Sequence, residues 1–168
     1  MALSHKKVVV RRFELALAWG YLPASGFVES GTVHLMEVDG HIKPIDLNDI
    51  KTIVYVRDFN LDDAMEPERI GRRTFAARPR GDGLWLRLGF RDGDSLEGLA
   101  GVDMGFLESL IEDRGVFLTP PDTRGNAQRV FVPRSALRSL EVLGYVTAPS
   151  KKLAKQIEAA AQAGLFEE

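Results

Sequence analysis

The chain has 168 residues, 45% of them apolar and 27% charged, a composition that suits a globular protein and speaks against global disorder. Its 22 basic and 24 acidic side chains leave a formal net charge of −2, so there is no overall field for gathering nucleic acid or an anionic membrane. With no cysteine, disulfides, thiolate metal sites and cysteine nucleophiles are all excluded.

Residues 1–7 carry positive charge, but the apolar run that follows, Val8-Val9-Val10, is cut off by Arg11 and Arg12. That run is too short for a signal peptide's apolar segment or a membrane span, so a cytoplasmic location with no membrane contact is expected. The β-branched residues of 7–13 and the loose alternation of 14–21 predict two strands or one long bent strand, and Pro23, Ser25 and Gly26 a loop. Residues 32–38 alternate cleanly up to Asp39-Gly40, the strongest hairpin signal in the chain, and 41–45 return as the next strand. Asp46, Asn48 and Asp49 supply a turn, and 50–58 the last strand of the first half. Residues 60–68 are acidic, contain Pro67 and lack periodicity, which predicts a linker. Strands are then expected at 74–78 and 84–90, at 95–99 after the Asp92-Gly93 turn, at 116–119 and at 129–133. Residues 102–114 are ambiguous: Met104, Leu107, Leu110 and Ile111 have helical spacing, and a short helix competes with an irregular loop. After Pro149, Ser150 is placed to cap a helix reaching about residue 163, with Leu153 and Ile157 on one face.

An apolar pattern occurs twice. Ile45, Ile50, Ile53 and Tyr55 stand at steps of five, three and two, and so do Val132, Leu137, Leu140 and Val142. The step of five carries turn residues and the step of two is strand chemistry, so each copy reads strand, one helical turn, strand. Neither copy has the long helical pattern that parallel strands need for their crossovers. The expected fold is therefore all-β and mainly antiparallel: two small barrels in tandem, residues 1–59 and 71–146, joined by a linker at 60–70 and followed by a C-terminal helix in 147–168.

In the second copy, Asp92-Gly93, then Gly98, and much later Val130-Phe131-Val132-Pro133-Arg134-Ser135-Ala136-Leu137 resemble the two signature segments of Sm-like (SH3-like) small barrels, including the bacterial RNA-chaperone type. The resemblance covers about 55 residues and reaches the first half through the repeat. It implies five strongly bent antiparallel strands, assembly through exposed edge strands and, at Arg134, a residue on the RNA-binding position. In the first copy the corresponding turn, Asp46-Leu47-Asn48-Asp49, is acidic and would repel phosphate.

Arg69, Arg72, Arg73, Arg78 and Arg80 lead into the second copy, and guanidinium groups bind phosphate through a bidentate fork. Together with Asp92, Ser95 and Gly98 they form a partial likeness to the cyclic-dinucleotide-binding PilZ barrels, each spacing off by one. His5, His34 and His41 have no metal-ligand spacing, and there is no phosphate loop, dinucleotide glycine motif or nucleophile elbow. The expectation is a non-catalytic binding or assembly module without cofactor or metal, acting through a protein partner or self-association. The alternatives are a phosphate-ligand sensor at the arginine cluster and an RNA binder at Arg134.

Overall fold

The computed structural model describes residues 4–147. The helix expected after Ser150 lies outside the described residues. Among those described, the strands are β1 (His5–Arg12), β2 (Ala18–Pro23), β3 (Val28–Glu29), β4 (Thr32–Met36), β5 (Ile42–Asp46), β6 (Ile50–Val56), β7 (Gly83–Phe90), β8 (Ser95–Ala100), β9 (Gly115–Leu118), β10 (Ala127–Pro133) and β11 (Leu137–Val146). One helix, α1 (Met104–Ile111), and 3-10 turns at Leu47–Asp49 and Arg134–Ala136 complete the set. An eight-stranded sheet runs β3-β4-β2-β1-β6-β10-β9 with β5 added on β4, and a three-stranded sheet runs β11-β7-β8. The all-β, antiparallel class is as expected.

The expected closure is not. Neither sheet closes into a barrel, and the larger one takes strands from both halves of the chain: β10 pairs with β6 from Ala127 against Val56 to Phe131 against Ile53. The cause lies in strands without a polar face. All seven residues of β6 are buried, and Val8, Val9 and Val10 of β1 are completely so. On one face of the shared sheet Val8, Val10, Ile53, Tyr55, Phe117 and Phe131 join Leu22, Phe27, Val33, Leu35 and Ile45 in one core. On the other, Val9, Val54, Val116, Leu118, Val130 and Val132 join Leu86, Leu88, Phe90 and Leu96 in a second. Each such side chain contributes roughly 1.5–3 kcal/mol when fully removed from water, so a sheet apolar on both sides is stable only when covered on both. Ile50 and Leu137, matched by the repeat, accordingly fall in different cores, Ile50 fully buried and Leu137 half-buried.

Both helical turns predicted by the repeat form. Asp46 caps the first by accepting the Asn48 N–H at 2.9 Å, whereas Pro133 opens the second with no side-chain cap. The turns meet: the Arg91 guanidinium donates to the carbonyls of Asn48 (2.8 Å) and Ser135 (3.2 Å). A second tie between the halves is Asp113, 1% exposed, which accepts the N–H groups of Gly26 (2.9 Å) and Val28 (3.1 Å). At Gly20 a Cβ would lie 2.2 Å from the Met36 carbonyl oxygen, so only glycine allows β2 to approach β4 there.

The strand expected at 74–78 is absent. This stretch lies between Gly71 and Pro79-Arg80-Gly81, and side chains hold it: Phe75 packs edge-on against Trp85 and Arg78 donates to the Tyr145 carbonyl, while just before it the Arg73 carbonyl accepts the Glu97 N–H of β8 at 2.7 Å. The ambiguous 102–114 stretch resolves as α1, capped by Asp103 accepting the Phe106 N–H at 3.1 Å. Ser109 faces inward and donates to the Phe106 carbonyl, while Met104, Leu107 and Ile111 face solvent. A helix that turns its apolar stripe outward has a periodicity that misstates its packing.

Candidate functional site

A cleft of about 900 Å3 opens where the end of β1, the start of β6 and the β7–β8 turn meet, with Arg11, Arg12, Lys51, Arg91, Glu14, Asp49 and Asp92 on its walls. Every cation in it is already engaged. Arg11 pairs with Glu68 through Nε and donates from Nη2 to the Met65 carbonyl at 2.9 Å. Arg12 donates to the Ala16 carbonyl at 3.0 and 2.8 Å. Arg91 stacks on the Phe13 ring, 3.9 Å from its centroid. Lys51, with an 11% exposed side chain, donates to Asp92 at 2.6 Å and also to Asp94. Burial acts to raise the Asp92 carboxyl, but the Lys51 hydrogen bond, the Asp94 amide and the Lys51 charge outweigh it and hold the group below the usual carboxylate range. Lys51 clips β6 to the β7–β8 turn and Arg11 is held by Glu68, while Arg12 and Arg91 are anchored by carbonyls and a ring rather than by carboxylates.

The predicted arginines do not converge. Arg73 reaches the β8 end, 3.5 Å from the Ser95 carbonyl and 3.8 Å from Asp94. Arg78 donates to the Tyr145 carbonyl of β11 at 3.1 Å. Arg69, Arg72 and Arg80 are exposed, and none of the five lines the cleft. Of the residues paired with them in sequence, Asp92 binds Lys51, and a Cβ on Gly98 would lie 2.9 Å from Leu118 Cβ, a packing requirement. Arg134 is exposed on the second 3-10 turn, beside Arg114 and Leu110 in a groove of about 370 Å3. Among the described residues no three His, Asp or Glu side chains group as metal ligands.

The feature that stands out is β11. It pairs with β7 along one side over ten residues and, among the described residues, with no strand along the other. Leu140, Val142 and Tyr145 lie opposite Leu88, Leu86 and Leu84, and residues opposite each other in an antiparallel pair share a face. Leu86 and Leu88 are core residues, yet Leu140, Val142 and Tyr145 are 47, 57 and 55% exposed. The core-side face of the smaller sheet thus runs out past its cover. Ile53 and Tyr55, which the repeat matches to Leu140 and Val142, are buried, so the two copies differ at this edge. The Lys51 network went unread because nothing in the sequence links positions 51 and 92; the one signal was a lysine inside an otherwise apolar run.

A family model described as "Family of unknown function (DUF6982)" matches residues 4–144. The chain belongs to the DUF6982 family. The DUF6982 match takes in both sheets and reaches into β11 as far as Gly144, so family membership covers the two halves as one unit. No curated protein and no solved structure matches this DUF6982 chain.

Proposed function

We propose that this protein is a non-catalytic binding and assembly module that acts through protein–protein contacts, with β11 as the strand that receives a partner. The open edge of β11 carries this reading, since along most of its length, short of the Tyr145 carbonyl that Arg78 takes, main-chain groups without a partner strand lie beside uncovered apolar side chains, which an added strand satisfies. The Sm-like resemblance has support from connectivity: in each half the last strand follows a 3-10 turn and pairs with the first, β6 on β1 and β11 on β7. The outer side of β6 receives β10, and among the described residues no strand takes the corresponding side of β11. Phosphate sensing at Arg69, Arg72, Arg73, Arg78 and Arg80 and RNA binding at Arg134 have less support, because those side chains are dispersed over the surface.

Extended peptides selected against the protein should perturb the NMR amide signals of β11 and bind on the order of tenfold more weakly to Val142→Glu, which sets a charge in the seam. Cyclic dinucleotides or RNA oligomers that bind instead, and lose affinity on Arg72→Ala, Arg73→Ala or Arg134→Ala, would overturn the reading.

A further inference from the structure

We infer that the strand received by β11 is β11 of a second copy, which joins two three-stranded sheets into one of six strands about a two-fold axis. The inference rests on the reading of β11 as a receiving edge and adds the identity of its occupant.

Among the described residues the other sheet margins are covered, short or blunted. The outer side of β9 meets β8 through reciprocal hydrogen bonds between Leu99 and Thr119, at 3.0 and 2.8 Å, and the Arg73 carbonyl takes the Glu97 N–H on β8. β3 has two residues. β5 is open but has five residues, with Pro44 in the middle and Lys43 and Asp46 on either side. Proline has no N–H to give a ladder, and proline and charge are the means by which proteins blunt an edge. A head-to-tail chain of copies through β5 and β11 is therefore disfavoured, and the long edge left for self-pairing is β11 against itself, a contact that closes after two copies.

Self-pairing also selects its own register. A two-fold axis normal to the sheet places residues of like parity opposite each other. With Leu140 on the axis, it faces Leu140 of the second copy, Arg138 faces Val142, and Ser139 faces Glu141. Moving the axis to Glu141 would set two carboxylates face to face, which is destabilising. Moving it to Val142 would put the irregularity between Val142 and Gly144 beside the axis, whereas around Leu140 that irregularity and the one between Leu137 and Ser139 both lie two or more residues out. In the Leu140 register the exposed Leu140 and Val142 of both copies line one continuous seam.

The chain has no cysteine, so an introduced one reports alone. Leu140→Cys should form a disulfide dimer under mild oxidation while Lys43→Cys on β5 does not. Sedimentation should give twice the 18.6 kDa chain mass for the wild type, and the chain mass for Leu140→Glu, which sets two carboxylates face to face on the axis, with an unchanged circular dichroism spectrum. Cross-linking at Lys43→Cys in place of Leu140→Cys would overturn the inference, and so would a wild-type monomer. Hydrogen exchange then separates the cases. In a monomer, protected β11 outer amides would identify residues 148–168 as the cover and remove the receiving-edge reading as well. Unprotected amides that become protected on adding a selected peptide would leave that reading standing and refute only the second copy.

Discussion

Replacing Phe131 with alanine is expected to remove about 3–5 kcal/mol of stability, and to weaken the first half of the chain as much as the second. Phe131 belongs to β10, late in the sequence, yet its ring lies in the core built by the first half, 4.9 Å from the Phe27 centroid and 5.0 Å from that of Phe117. It is completely buried, so the substitution leaves a cavity that rigid strands on either side cannot fill. The two tryptophans make this measurable, because Trp19 reports on the first half and Trp85 on the second. In Trp19→Phe and Trp85→Phe backgrounds the denaturant midpoint should fall by the same amount on adding Phe131→Ala. A fall seen by Trp85 alone would show that Phe131 does not serve both halves.

The second large effect is expected at Arg11. Glu68 is 3% exposed, its Oε1 is held by Arg11, and its Oε2 has no protein partner. Arg11→Met should cost about 2–4 kcal/mol, somewhat under the usual range for a fully enclosed pair because the Arg11 side chain is 30% exposed and partly screened. Most of that loss is the stranded carboxylate, so Arg11→Met with Glu68→Gln should be more stable than Arg11→Met alone, with a coupling of about 1 kcal/mol or more in the double-mutant cycle. Additive effects would mean that the pair is worth no more than a surface ion pair.

What could be read in the sequence was what adjacent residues determine. The alternation of 32–38, the Asp39-Gly40 hairpin, both 3-10 turns and the strand positions from 84 onward follow from local chemistry, and the structure has them. In connection order the halves do agree: β6 and β11 each follow a helical turn and return to the first strand of their half. Closure was not readable, because it depends on which distant strand takes the outer side of β6. The hint was present in Val8-Val9-Val10, Ile53-Val54-Tyr55-Val56 and Val130-Phe131-Val132: runs with no polar alternation belong to strands covered on both faces, whereas a small barrel shows one face to water. The arginines illustrate the opposite error. Clustering along the chain at 69–80 did not become clustering in space, because Arg73 and Arg78 are drawn to carbonyls on β8 and β11, at opposite margins of the smaller sheet.

Calorimetric unfolding of the chain tests the shared sheet most directly. Because β6 and β10 pair across the two halves and bury side chains into both cores, a single transition is predicted, with the calorimetric enthalpy equal to the van't Hoff enthalpy. Two resolved transitions, or a calorimetric enthalpy well above the van't Hoff value, would show two independently folded halves and contradict it.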